Sequence, residues 1–237
     1  MTTELPEVTP APPALSPVPH AVVSALTGLT FALLATWGAR QGAHDPVIDD
    51  RVHRWVVSHR SPGSTAFARA VTWGGVAAVA LPSLVIIGAI ADPHRGNLRG
   101  RLKAGALLAG VAGIGFFAGL RFNAAFARER PALADWTGTA GGPGFPSGHT
   151  TTGTLFAASC AWALAARARP GWPRVAVWGG AVAYSAAVGW SRVWLGVHWP
   201  LDVVGGWLFG SSWFSGTMAA ILMVRRKASA RRGEPGR

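Results

Sequence analysis

Six apolar runs, at residues 21–37, 71–91, 102–120, 151–166, 175–191 and 201–224, dominate the sequence. Most approach the ~20 residues that a helix needs to cross a bilayer, and short loops separate several of them. The pattern predicts an all-α fold, a six-transmembrane-helix bundle. Composition agrees: only 14% of residues are charged, against roughly 25% in soluble domains, and the mean hydropathy is +0.29.

The remaining segments are short. Residues 1–19 contain six prolines and no basic residue, which predicts a disordered tail. Residues 20–224 form the membrane domain, and residues 225–237 a basic cytoplasmic tail. The run at 21–37 lacks a positively charged flank and a cleavage signal, so it is expected as a retained first span. Between residues 40 and 69, Val47, Val52, Trp55 and Val56 make one apolar stripe, with Asp49, Asp50, Arg51 and Arg54 elsewhere around the helix. That predicts a short amphipathic helix on the membrane surface. The net charge of +12 sits in short segments between apolar runs, without a basic stripe or interleaved aromatics, so no nucleic-acid partner is expected. The single cysteine, Cys160, lies inside an apolar run and excludes a disulfide framework.

Charge also orients the chain. Six spans put both termini on one side of the membrane, and that side holds 13 of the 22 basic residues. The bias places the termini in the cytoplasm of a multi-pass cell-membrane protein.

Against this apolar background the stretch from Gly141 to Asp202 carries the chemistry. Asp202 is the only acid between Asp135 and Glu234, and a buried unpaired carboxylate is costly. His198 lies four residues before it, on the same helical face, where a carboxylate can hold an imidazole in one tautomer. Arg130, His149, Arg192 and His198 all border spans on the side away from the cytoplasm. Singly each has a structural reading: a lipid-facing arginine, a helix cap, an interfacial histidine. Together they suit phosphoryl transfer, which needs a nucleophile, oxygen donors and an acid for the leaving oxygen. His198 held by Asp202 serves as nucleophile, and Arg130 and Arg192 as forks for phosphate oxygens. Ser147 and Gly148 open a helix whose N–H groups can face an anion, and His149 is left as acid and base.

The same residues carry a resemblance. Arg130-Pro131, Pro146-Ser147-Gly148-His149 and Ser191-Arg192-x5-His198-x3-Asp202 are similar to the three signature motifs of the type 2 phosphatidic acid phosphatase superfamily, in its membrane lipid phosphatase branch. That superfamily shares its site with vanadium haloperoxidases. The resemblance spans residues 21 to 224 and implies six helices and an active site at one membrane interface. By it, His198 is the nucleophile, Asp202 its partner, His149 the acid and base, and Arg130, Arg192, Ser147 and Gly148 bind phosphate. It implies no metal and no cofactor. The first motif departs: the family places a lysine seven residues before the arginine of Arg-Pro, and here that position is Asn123, counted with the phosphate-binding set. Arg121 is a poor substitute on the far side of the helix, whereas Arg128 lies nearer the loop and can partly compensate.

The expectation is therefore a phosphatase, in the bilayer, that hydrolyses a lipid phosphate or diphosphate through a phosphohistidine. Phosphatidic acid, phosphatidylglycerol phosphate and polyprenyl diphosphate are the substrate candidates. A vanadate-dependent haloperoxidase and a non-catalytic lipid-binding membrane protein are the alternatives.

Overall fold

The computed structural model describes residues 16–40, 46–91 and 97–232. Eight α-helices follow one another there: α1 Val18–Arg40, α2 Val47–His59, α3 Pro62–Thr72, α4 Ala77–Ile90, α5 Leu98–Phe126, α6 Gly148–Ala165, α7 Trp172–Trp194 and α8 Pro200–Arg231. Most of the expected proline-rich tail lies outside the described residues. The basic residues 225–231, expected as a tail, continue α8 as helix.

All six apolar runs are helical. Three helices, α1, α5 and α8, are long and apolar enough to cross a membrane, and α3 with α4 makes a fourth candidate span bent by 58°. The run at 71–91 was expected as one span. A turn at Trp73–Gly75 divides it, because the chain there presses against α6. A Cβ on Gly75 would lie 2.6 Å from the backbone oxygen of His149, so only glycine permits the approach. α6 is the shortest of the long helices and the most enclosed, packed against α4, α5, α7 and α8. Leu155 from its middle joins Leu84, Val111 and Phe214 in the central core. Its threonines face inward: Thr154 donates to the Thr150 carbonyl at 2.8 Å and accepts a 2.7 Å bond from Ser185 of α7. Interhelical bonds between small hydroxyl side chains suit packing in lipid, where apolar contact alone gives little preference for one helix over another.

Outward faces are apolar. Leu26, Leu29 and Leu33 of α1, Ile114 and Phe117 of α5 and Val182 of α7 are exposed, as a bilayer requires. α1 runs antiparallel to α8, tied by reciprocal Ser24–Ser212 bonds of 2.9 and 3.0 Å. The start of α1 and the end of α8 therefore share one end of the bundle.

α2 corrects the expected stripe. Val47 and Trp55 are largely exposed, while Asp49, His53 and Val56 are buried. The face that packs inward carries Asp49, Val52, His53 and Val56, at helical spacing. It meets Val193 and Val203 of α7 and α8.

Candidate active site

The site is assembled at one end of the bundle from the loop 127–147, the first turn of α6, the end of α7, the turn 195–199 and the first turn of α8. Phe145 anchors the loop. Its ring stacks on Phe31 of α1 at 5.6 Å and meets Phe126 edge-on at 5.3 Å. The next residues, Pro146 and Ser147, are thereby held over α8, where the Ser147 N–H donates to the Asp202 carbonyl at 3.0 Å.

His198 is 1% exposed and Asp202 fully buried. His198 Nδ1 lies 3.2 Å from Asp202 Oδ2, which also accepts the Trp199 N–H at 3.0 Å. The acidic residue thus closes the start of α8 and grips the ring at once. Arg130 Nη1 lies 2.8 Å from His198 Nε2. A guanidinium only donates, so Nε2 carries the lone pair and Nδ1 the proton that points at Asp202. Burial, then the Arg130 and Arg192 guanidiniums, push the His198 ring well below its ordinary pKa, which keeps it neutral. Gly144 makes the pocket wall close: a Cβ there would stand 2.8 Å from Asp202 Oδ2.

Arg130 is fixed by the loop it leaves. Its Nε donates to Gly142 O at 2.8 Å, Nη2 to Gly141 O and Pro143 O at 3.0 and 2.8 Å, and Nη1 also to Val197 O at 2.7 Å. Arg192, 2% exposed, donates to Thr72 Oγ1 at 2.8 Å and to Thr139 O at 3.0 Å. Its buried Nε has no partner among the described residues. An unpaired buried N–H costs about 1–3 kcal/mol, a cost that an anion there removes.

α6 begins beside these groups. Its N-cap, Ser147, makes no side-chain cap bond, so the first-turn N–H groups and the positive end of the helix remain available to an anion. Ser147 Oγ accepts from Thr150 Oγ1 at 3.0 Å and keeps its own proton to donate. Gly148 faces open space, with nothing within 4 Å of an added Cβ. His149 and Arg192 line a cavity of about 570 Å³ with Thr72, Thr139, Trp136 and Arg69.

The expected residues His149, Arg192, Arg130, His198, Asp202, Ser147 and Gly148 thus converge. Asn123 does not join them. Its Nδ2 donates to Pro143 O at 3.0 Å and Pro146 O at 3.2 Å, so both amide hydrogens hold the loop and neither is left for a phosphate.

Asp49 was missed as a site residue in the sequence, and Arg128, read there as a partial substitute for the lysine at position 123, binds carboxylates instead. Arg128 Nη1 donates to Asp202 Oδ1 at 2.9 Å and its Nη2 to Asp49 Oδ2 at 2.7 Å. Asp49, 0% exposed, accepts the Leu201 N–H at 2.9 Å with its other oxygen. Burial raises the Asp49 carboxyl above its ordinary range, and the Arg128 and Leu201 bonds pull it back. The available signal was the spacing of Asp49 with Val52 and Val56, which places an acid on the apolar face of α2.

The family model of the PAP2 superfamily matches residues 103–226, just over half of the chain. The chain is 35% identical over 122 residues to a lipid A 1-phosphatase of Rhizobium johnstonii, covering 46% of this chain and 45% of that one. It is 41% identical over 76 residues to an undecaprenyl-diphosphatase of Sulfolobus acidocaldarius, covering 30% of each. The matched region thus spans less than half the length of these curated relatives. Among solved structures, a transmembrane PAP2-type phosphatidylglycerolphosphate phosphatase of Bacillus subtilis matches with a TM-score of 0.70 at 25% identity, over 84% of this chain and 94% of that one. Aquifex aeolicus LpxE matches in fold with a TM-score of 0.56 at 21% identity, over 76% and 97%.

Proposed function

Because the chain belongs to the PAP2 superfamily, we propose that it is a membrane phosphatase that hydrolyses a lipid phosphate or diphosphate through a phosphohistidine on His198. The observation that carries the reading is the state of that ring: buried, neutral, its Nδ1 proton on Asp202 and its Nε2 lone pair beside Arg130. Burial and then the Arg192 guanidinium lower the His149 pKa to about 3 in the free enzyme, and the phosphate dianion, by offsetting those cations, lets the ring take up the proton it delivers. In the first step Nε2 attacks phosphorus while protonated His149 gives that proton to the leaving oxygen, so the P–N bond forms as the P–O bond breaks. The ring becomes a cation, stabilised by Asp202. In the second step His149 takes a proton from water, the water oxygen attacks phosphorus, and the P–N bond breaks to release phosphate.

Arg130, Arg192, the Ser147 hydroxyl and the first N–H groups of α6 hold the phosphoryl oxygens. Arg130 exchanges its bond to Nε2 for one to phosphate as substrate arrives. The proposed substrates are phosphatidic acid, phosphatidylglycerol phosphate and polyprenyl diphosphates, whose tails stay in the bilayer while the phosphate enters at headgroup depth. The site is placed on the outer face of the cell membrane.

Phosphate release by the purified full chain from these three lipids in detergent micelles tests the reading. His198→Ala is expected to abolish turnover, acid-stable trapping of label excluded, and His149→Ala to lower kcat by about 10²–10⁴-fold. Base-stable, acid-labile label from ³²P-substrate should appear on the wild type and vanish in His198→Ala. Full activity in His198→Ala, or its complete loss on adding EDTA, overturns the mechanism.

A further inference from the structure

Resting on the phosphohistidine reading, we infer that Asp49 and Arg128 are a charge-balancing positioning pair for the His198–Asp202 dyad, built from helix α2 and the loop that follows α5. Asp202 and Asp49 are fully buried, and Arg128 reaches both with separate Nη groups at 2.9 and 2.7 Å. Two carboxylates and one guanidinium leave one net negative charge on the Nδ1 side of His198, while the Arg130 cation stands on the Nε2 side, where the phosphoryl oxygens take it up. The phosphorylated imidazole carries one positive charge, so the cluster matches the intermediate and not the resting ring. Were Arg128 bound to Asp202 alone, it would draw that carboxylate's charge away from Nδ1. Asp49 takes the second half of the fork and limits the draw.

Geometry is set by the same pair. Asp49 Oδ1 accepts the Leu201 N–H in the first turn of α8, one residue from Asp202, so the docking of α2 fixes the helix start that carries the carboxylate. The family's cation before Arg-Pro is absent, and Arg128 brings a cation to the same loop, but to the carboxylate side of the dyad instead of the phosphate side.

The remaining charged and titratable groups around the dyad are accounted for. Arg130 from the loop reaches His198 Nε2, Arg192 from α7 is bound to Thr72 and Thr139, and His149 faces the cavity from α6. From α2, His53 pairs with Asp135 at 2.9 Å and packs on the Trp199 ring at 5.1 Å. Arg60 donates to the Asp135 carbonyl at 2.6 Å. None of these neutralises Asp49 or Asp202 as Arg128 does.

The test is the acid limb of kcat/KM, which reports protonation of the free enzyme's nucleophile. It is measured on the full chain in micelles with phosphatidic acid and with farnesyl diphosphate. Asp49→Asn leaves Arg128 to Asp202 alone and removes one negative charge from the cluster, so protonation of His198 is harder, and the limb should move down by about one pH unit. Arg128→Met removes the cation and should move it up by about as much. Each is expected to lower kcat by roughly 10- to 100-fold, as loss of an orienting partner does. Asp49→Asn with Arg128→Met should bring the limb back near that of the wild type while kcat stays low, and Arg128→Lys should recover part of kcat. If the limb stays in place, or moves the same way in both single variants while the apparent Tm falls, the pair only anchors α2 and the inference fails. The double variant and Arg128→Lys decide the matter should Arg128→Met not fold. If the wild type turns over neither substrate, the functional reading fails, and the pH dependence of orthovanadate binding applies the same opposite-shift criterion to the pair.

Discussion

Asn123 donates both hydrogens of its amide to the carbonyls of Pro143 and Pro146, the two residues that bracket Gly144 and Phe145 in the loop above Asp202. With each neutral bond contributing about 1 kcal/mol, Asn123→Ala should destabilise the chain by about 1–2 kcal/mol and lower the apparent Tm by several degrees. A phosphate-donor role predicts something else: an increase in KM with the Tm unchanged. Thermal unfolding in micelles beside steady-state kinetics separates the two. The contrast with its neighbours explains what the sequence could disclose. His198 and Asp202 are four residues apart on one face, and Ser147, Gly148 and His149 are consecutive, so local spacing brings them out as candidates. Arg128 meets Asp202 and Asp49 across 74 and 79 positions. In the sequence Asp49 belongs to the polar side of α2 and Arg128 is a cation near the loop, and only the fold joins them.

At the scale of elements, the break between α3 and α4 shapes the His149 side of the site. Hydropathy averages over Trp73-Gly74-Gly75 and sees one span, because the reason for the turn lies in α6, not in the run itself. Tyr184 of α7 secures the turn by donating to the Gly74 carbonyl at 2.9 Å. Gly75→Ala would place a methyl 2.6 Å from the His149 oxygen and 2.9 Å from both His149 Cβ and Val188 Cγ1. A backbone oxygen cannot rotate away, so the turn or the start of α6 must shift. The expected cost is about 1–3 kcal/mol, with kcat lower by roughly tenfold or more as His149 leaves its position. Gly110→Ala on α5 is the control, since nothing lies within 4 Å of its added Cβ, and it should leave both kcat and stability unchanged or slightly raise stability. Equal behaviour of the two variants would show that the close contact does not constrain the site. α2 was legible as a helix but not in its orientation. Its apolar stripe was chosen by side-chain type, whereas burial followed the partners offered to Asp49 and His53.

For the whole molecule the remaining question is which way the bundle faces. Arg130 with His198, Ser147 with Asp202 and Arg192 with Thr139 join the site at one end, and the antiparallel pairing of α1 with α8 sends Val18 and Arg231 to the other. The membrane-spanning core was legible because hydrophobic length is a local property, whereas sidedness rests on loop charge alone. Basic residues at 225–227 and 231–232 extend α8 at the end away from the site, the arrangement that the positive-inside bias assigns to the cytoplasm. Opposing it are the basic residues of α2, of α3 and of the turn between them, of which Arg60 and Arg69 bind the carbonyls of Asp135 and Thr137 and so have a structural reason to be there. A reporter fused after Arg237 should therefore be active only in its cytoplasmic form. Gly141, exposed in the loop that holds Arg130, supplies the complementary probe. In a Cys160→Ser background, Gly141→Cys should react with a membrane-impermeant maleimide added to intact cells, and an inward-facing site would leave it unlabelled until the cells are opened. Labelling only after lysis, together with an active extracytoplasmic reporter, reverses the orientation and moves the proposed hydrolysis of lipid phosphates to the cytoplasmic leaflet.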